Sequence, residues 1–170
     1  MICYFDIQGL EGIGVIFHGK RVVFTGISVR TEPEEYRGHE ALIPFSKEDF
    51  HFFFDNDVPD LNFYAVPALW IIGHDSAGGY FVTTETDFSF QENLPLFYVS
   101  AESQVYLIKG NSTQFLTGKY RWREDLEESD EIKIYSSRLM AEKDFDIHNA
   151  DELNLTSLET SDGIEMSKTP

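Results

Sequence analysis

Short apolar segments alternate with polar, glycine-containing turns along most of this chain, a pattern typical of β-strands. Strands are predicted over residues 3–7, 15–17, 22–24, 69–72, 80–84, 96–99, 105–108 and 132–135. The polar segment from His18 to Arg21 predicts a hairpin turn between the second and third of these strands. The 15 Phe and 8 Tyr also favour strands, because aromatic rings pack well on a pleated surface.

Two segments instead carry helical signals. Ser46 is a suitable N-cap for a helix ending near Asp55, and an apolar face of core residues is predicted from Phe45, Phe50, Phe53 and Phe54. A second helix is predicted over residues 137–145, with Leu139 and Met140 turned inward. The pattern therefore predicts an α+β fold: a mostly antiparallel, curled sheet with two or three short helices packed on it.

The 170 residues suit one domain, which we place at residues 1–158. Leu153, Leu155 and Leu158 alternate with polar residues as an edge strand, and residues 159–170 are expected to form a frayed acidic tail. No apolar run is long enough to span a bilayer, and the N-terminus lacks the pattern of a signal peptide. Cys3 is the only cysteine and is interpreted as a small core residue. These features favour a reducing cytoplasm.

Acidic residues dominate the charge. Thirty Asp and Glu against 13 Lys and Arg give a formal net charge of −17. Residues 124–170 hold 14 acidic and four basic residues, a net of −10 in about a quarter of the chain. Such a protein is repelled by nucleic acid and by anionic membranes. The acidity serves solubility, or part of it complements a basic partner and speeds its capture.

The motifs carry little catalytic signal. His74, Asp75 and Ser76 are the residue types of an acyl-transfer triad, but neighbours on one tight turn cannot aim at one another in that order. The histidines lack metal-binding spacing, and Gly9 to Gly14 lacks the order of a nucleotide-binding loop. We therefore predict no catalytic residues, no metal and no cofactor.

The segment 70–85 is the most informative part of the chain. An apolar strand enters a glycine-rich turn and leaves as a second strand, so His74, Asp75 and Ser76 are expected at an accessible tip. Lys119 to Arg123 is the one basic cluster, and Arg121 or Arg123 is expected to pair with the acids that follow. The candidate partner contacts are the tip residues, Trp122 as an anchor, and an acidic run: His74, Asp75, Ser76, Trp122, Glu127, Glu128, Asp130 and Glu131.

Residues 71–81 (I-I-G-H-D-S-A-G-G-Y-F) resemble the SUKH superfamily of bacterial immunity and related proteins. The likeness lies in an apolar strand, a turn of the G-x-D-x-x-G type and a second strand with aromatic residues. Residues 95–99 and 105–107 resemble that family's following strands, so the resemblance covers about residues 57–116. The family begins with a helix carrying an L-P-x-x-Y-like motif, whereas a β-hairpin is predicted first here.

The resemblance implies a cytoplasmic α+β binding domain, usually encoded beside a secreted toxin that it neutralises. Acidity agrees with this independently, because an acidic surface can cover the basic active site of a nuclease-like toxin. The leading hypothesis is thus a non-enzymatic immunity protein that binds a protein partner. The alternatives are an assembly protein that self-associates through strand edges, and a small-molecule sensor or enzyme with a pocket beneath the glycine-rich turn.

Overall fold

Residues 2–9, 13–17, 21–85, 94–110, 114, 121–150 and 164–168 are described by the structure, a computed structural model, with the backbone alone for 13–17 and 164–168. The strands are β1 (Ile2–Asp6), β2 (Ile13–Phe17), β3 (Arg21–Thr25), β4 (Ile27–Val29), β5 (Thr31–Glu32), β6 (Phe53–Phe54), β7 (Tyr64–Val66), β8 (Leu69–His74), β9 (Tyr80–Thr83), β10 (Phe97–Val99), β11 (Val105–Ile108), β12 (Leu126–Glu128), β13 (Lys133–Tyr135), β14 (Ile147–His148) and β15 (Ile164–Lys168). The α-helices are α1 (Ile43–Lys47) and α2 (Arg138–Ala141), and 3₁₀ turns occupy Glu34–Tyr36, Glu40–Leu42 and Trp122–Asp125. Many strands with a few short helices make this an α+β protein, which confirms the predicted class.

Two compact units divide the chain. The terminal unit comprises Met1–Ile27, Asn62–Ala68 and Tyr135–Pro170, and the central unit comprises Ser28–Leu61 and Leu69–Ile134. The single domain over residues 1–158 stays a prediction. Within the described ranges, no helix is long and apolar enough to cross a membrane.

Parallel pairing organises the terminal unit. β1 lies between β14 and β3 and is parallel to both, with Tyr4 opposite Ile147 and Cys3 opposite Val22. β2 pairs instead with β15, in antiparallel register. The predicted hairpin between β2 and β3 is therefore wrong, although both strands exist. Turn-forming residues are a local signal, and they carry no information about partners distant in sequence.

The C-terminal segment differs from its prediction as well. Residues 164–168 lie in the stretch expected to fray, yet they form β15 along β2. Their apolar and polar residues alternate as Ile-Glu-Met-Ser-Lys, which suits a half-buried strand. The edge strand predicted around residues 153–158 and the hairpin turn at 18–20 lie outside the described residues.

The core of the terminal unit is built by Tyr64, Val66, Ala141 and Ile147. Ser137 caps α2, because its hydroxyl accepts a hydrogen bond from the backbone N–H of Met140. The inward placement of Leu139 and Met140 is wrong, since they are 71% and 41% exposed. The helix has only four residues, so it offers the core little more than Ala141.

A six-stranded sheet forms the frame of the central unit, in the order β12-β11-β10-β9-β8-β4. The pairs from β8 to β12 are all antiparallel, as predicted for β8 to β11. A register shift between Ile71 and Gly73 marks an irregularity just before the β8–β9 turn. The predicted strands at 69–72, 80–84, 96–99 and 105–108 are confirmed as β8, β9, β10 and β11.

Aromatic side chains fill the core beside this sheet. Phe50, Phe81 and Trp122 are all 2% exposed or less and contact one another through tilted or edge-on rings. The core role predicted for Phe50, Phe53 and Phe54 is confirmed by their burial.

The helix predicted from Ser46 to Asp55 is wrong in its bounds. α1 begins at Ile43, with Pro44 in the first turn, where its missing N–H is not needed. Asp49 has a φ of +56°, a left-handed conformation that an α-helix cannot include. The chain is therefore extended afterwards, and Phe53–Phe54 pair in parallel with β5.

Candidate functional site

The β8–β9 turn is built around the carboxylate of Asp75. Its Oδ1 accepts hydrogen bonds from the backbone N–H groups of Ala77 (3.0 Å) and Gly79 (2.7 Å), which closes the turn on itself. Its Oδ2 accepts a hydrogen bond of 2.8 Å from the hydroxyl of Tyr98 on β10. Asp75 is only 3% exposed, so it is an internal residue and not the accessible tip residue that the sequence predicts.

Two glycines permit this close packing. A Cβ atom on Gly79 would collide with the hydroxyl and ring of Tyr98, and one on Gly73 would collide with the ring of Phe50. The backbone can therefore approach these aromatic rings only where a side chain is absent. This geometry accounts for the spacing of Gly73, Asp75 and Gly79 in the G-x-D turn.

Asp49 joins the turn from the segment after α1. Its Oδ1 accepts a hydrogen bond from the backbone N–H of Ser76 (3.1 Å), and its Oδ2 accepts one from the Ser76 hydroxyl (2.8 Å). Asp49 also contacts Nε2 of His51 at 3.1 Å. Burial opposes ionisation, but the hydrogen bonds from Arg123, Ser76 and His51 outweigh it and hold the pKa of Asp49 below its ordinary value.

Arg123 bridges the two carboxylates. Its guanidinium lies 2.7 Å from Asp49 Oδ2 and 3.3 Å from Asp75 Oδ2, and it stacks 4.3 Å from the ring centre of Trp122. The hydrogen bond to Asp49 raises the pKa of Arg123 further. Burial and the bond to Asp75 raise the pKa of Tyr98, so its hydroxyl stays protonated as a donor. We call Asp49, Asp75, Ser76, Tyr98 and Arg123 the turn cluster.

The hydrogen bonds and ion pairs of the turn cluster stabilise the β8–β9 turn. Both hydrogen bonds described for Ser76 join it to Asp49, while Nδ1 of His74 contacts the carbonyl of Asp75 at 3.1 Å. A nucleophile needs a base that takes its proton, and the carboxylate of Asp49 is a weak base because its hydrogen-bond donors lower its pKa. Among the described residues, His, Cys, Asp and Glu form no group that could hold a metal ion.

Of the predicted tip residues, Ser76 is exposed, His74 is half-buried and Asp75 is buried. The ring of His74 packs 4.8 Å from that of Phe53, so its accessible edge is limited. Only Ser76 therefore offers an exposed polar side chain for a partner at this turn, and its hydroxyl is already bonded to Asp49.

Trp122 differs from its prediction as an interface anchor. Its indole is 2% exposed and packs between Phe81 and Tyr98, with ring centres 4.7 and 4.8 Å away. Its Nε1–H donates a hydrogen bond of 2.7 Å to the carbonyl of Glu48. A buried tryptophan with a satisfied N–H is a core residue, so it is not an exposed anchor in this conformation.

The remaining candidates follow one another along an exposed segment of the central unit. We call Glu124, Asp125, Glu127, Glu128, Asp130 and Glu131 the acidic strip. All six side chains are exposed. The strip follows the end of a 3₁₀ turn, the edge strand β12 and the loop after it. Antiparallel pairing with β11 sets its register, with Glu128 opposite Tyr106 and Glu127 opposite Leu107.

Basic residues neutralise only a small part of the negative charge of the strip. Arg121 pairs with Glu124 at 3.2 Å, which confirms the predicted pairing for that arginine, and Lys109 pairs with Glu127 at 3.0 Å. Arg123 turns instead toward Asp49 and Asp75. Four strip carboxylates have no ion-pair partner within the described part of the chain: Asp125, Glu128, Asp130 and Glu131.

Sequence reasoning missed three members of the turn cluster that hold Asp75 and its turn, namely Asp49, Tyr98 and Arg123. They lie 26, 23 and 48 residues from Asp75, and no local pattern joins such positions. One signal was present in the sequence: the acidic Asp49, directly before Phe50, interrupts the predicted apolar helix face.

Comparison of the chain with family models, with curated proteins and with solved structures gave no match.

Proposed function

We propose that this chain is a non-enzymatic protein-binding domain that captures a basic partner through the acidic strip, and that it acts as a bacterial immunity protein. The observation that carries the proposal is the set of four exposed carboxylates without ion-pair partners among the described residues, on and beside the edge strand β12. The expected partner is a basic, nuclease-like toxin, whose phosphate-binding surface would match this charge.

The small free energy of an exposed ion pair indicates that the strip would contribute more to the rate of association than to the stability of the complex. One exposed pair stabilises a complex by about 0.2–1 kcal/mol. A field summed over several like charges can raise the association rate by about 10–1,000-fold, and salt screens it within about 8–10 Å. The strip therefore supports fast, salt-sensitive capture, while contacts outside it must supply most of the lifetime of the complex.

The position of the strip on a sheet edge adds a second mode of contact. β12 ends the described sheet, so its outer backbone groups face away from β11 and can pair with an extended segment of a partner. Glu127 and Glu128 would face like charges if two copies of β12 paired with each other. The edge thus favours a basic partner over self-association, which is the alternative function.

Inhibition would follow from charge and coverage alone. An enzyme that cleaves nucleic acid binds phosphates with basic residues, and an acidic protein seated there excludes the substrate. The SUKH-like turn supports the same class of function, since Asp75 and its glycines act as a scaffold and not as a catalytic group. No catalytic group of this chain is required.

A pull-down of the full chain tests the proposal. Tagged wild-type protein is incubated with lysate of its source and washed at low and at high salt. A strip variant carries Glu127→Gln, Glu128→Gln, Asp130→Asn and Glu131→Gln. A matched control carries four changes at other exposed acids of the central unit: Glu35→Gln, Glu40→Gln, Asp60→Asn and Glu102→Gln.

We expect wild type and control to retain one basic protein at low salt and to lose it at high salt, while the strip variant retains little at either. Equal recovery by the strip variant and the control would contradict the strip as the binding surface. Recovery of the bait alone, as an oligomer, would favour self-association.

A further inference from the structure

A groove of about 340 Å³ opens in the central unit, between α1 and the segment from Phe50 to Phe54. Its walls include Ile43 from α1 and the rings of Phe50, Phe52 and Phe54. Phe50 is 1% exposed and contacts Phe52 with ring centres 4.7 Å apart, whereas Ile43 is 50% exposed at the groove. The volume lies at the lower end of the ~300–1,000 Å³ typical of small-molecule sites.

Charge distinguishes this groove from the rest of the protein. Its polar lining includes Lys47, His39 and His51, and no carboxylate contributes to it, although the chain holds 30 acidic residues. Among the described residues, the ammonium group of Lys47 has no ion-pair partner. His39 accepts a hydrogen bond from Ala41 N–H through Nδ1, so its neutral ring carries the proton on Nε2 and can donate there.

We propose that the groove binds a small amphipathic anion, namely a flat aromatic body that carries a carboxylate. The half-buried ring of Phe52 and the exposed side chain of Ile43 would contact the apolar body, because burying their exposed faces removes apolar surface from water. Lys47 would pair with the carboxylate, and His39 Nε2–H would add a neutral donor at the same groove. Lys47 is a lining cation without an ion-pair partner among the described residues, and the lining itself contains no carboxylate, so the groove favours this ligand class over cations.

This inference goes beyond the proposed protein-binding function and is independent of the acidic strip. The groove is lined by residues 38–54, and the strip comprises residues 124–131. Binding of a small anion can therefore be measured with the full chain alone, without any partner.

The test uses three probes of nearly equal shape and different charge: naphthalene carboxylate, naphthalene methanol and naphthalene methylamine. Each is titrated into the full-length protein by calorimetry, and competition with the carboxylate identifies a shared site. We expect the carboxylate to bind more tightly than the alcohol, and the alcohol more tightly than the ammonium. Equal affinities for all probes, or no binding of the carboxylate, would overturn the proposal.

Two charge reversals locate the site. Lys47→Glu places a carboxylate at the groove, and Lys143→Glu makes the same change of net charge at an exposed residue that does not line it. We expect Lys47→Glu to weaken binding of the carboxylate by about three- to tenfold and to leave the alcohol unchanged. We expect Lys143→Glu to leave both affinities near those of the wild type.

A third variant tests the apolar wall. Ile43→Ser should weaken the carboxylate and the alcohol alike, by about three- to tenfold, because the exposed isoleucine contacts the ring system in both cases. Ile43 is half exposed, so the fold should tolerate this change. Unchanged affinity in both Lys47→Glu and Ile43→Ser would overturn the assignment of the ligand to this groove.

Discussion

The hydroxyl of Tyr98 donates a hydrogen bond of 2.8 Å to the buried carboxylate of Asp75. This bond joins β10 to the β8–β9 turn, which Asp75 also closes through its other oxygen. A side chain on Gly79 would occupy the place of the Tyr98 hydroxyl. The turn therefore depends on one carboxylate, one phenol and one missing Cβ, all in the central unit.

Replacement of Asp75 by Asn should destabilise the protein by about 1–3 kcal/mol. Asparagine keeps a side-chain oxygen for the turn N–H groups, but it presents an NH₂ donor where Tyr98 and Arg123 also donate. Urea unfolding measures the difference. Asp130→Asn, at an exposed carboxylate, is the control and should change the unfolding free energy by less than about 0.5 kcal/mol. Equal effects of the two changes would contradict the role of Asp75.

Asp49 should make the stability dependent on pH. Its pKa is held below the ordinary value of 3.8, so folding favours its ionised form. That stabilisation is fully present above the unfolded pKa and is lost as the pH falls below it, toward the lowered pKa of the folded state. Wild-type protein should therefore exceed Asp49→Asn in unfolding free energy by about 1–2 kcal/mol near pH 6, allowing for partial exposure.

The same difference should shrink near pH 3, where Asp49 is protonated in the unfolded chain. Asparagine tolerates the left-handed conformation of this position, so the comparison isolates charge and hydrogen bonding. Denaturant curves at several pH values provide the measurement. A difference that stays constant from neutral to acid pH would show that Asp49 is not held ionised by its neighbours.

Trp122 should be shielded from a soluble quencher. In a Trp70→Phe variant, Trp122 is the only indole, and acrylamide should quench it several-fold less effectively than it quenches Trp70 in Trp122→Phe. The reason is its burial among Phe81 and Tyr98. Efficient quenching of Trp122 would instead support the exposed anchor that the sequence predicts.

The strands of the central unit could be predicted because their signals are local. Residues 69–72 and 80–84 are apolar runs around a polar, glycine-rich turn, and such runs pair with their neighbours in an antiparallel sheet. The pairing of β1 with β3 and β14 could not be predicted in this way. Parallel partners distant in sequence leave no mark in the turns.

The candidate site was predictable only in its exposed part. Runs of Glu and Asp are nearly always solvated, so the exposure of Glu127, Glu128 and Asp130 followed from composition. The burial of Asp75 did not, because an aspartate is buried only when partners compensate its charge, and Arg123 and Tyr98 come from other elements. Pro44, a good first-turn residue, marks the start of α1, whereas the predicted cap Ser46 lies within the helix.

The most direct test of the central claim is the association rate of the chain with its captured partner, measured by stopped flow at several salt concentrations. Wild type and the four-charge control variant should associate rapidly and slow steeply as salt rises. The strip variant should associate about tenfold or more slowly at low salt, with a flatter dependence. An unchanged rate and salt slope in the strip variant would contradict capture through the acidic strip.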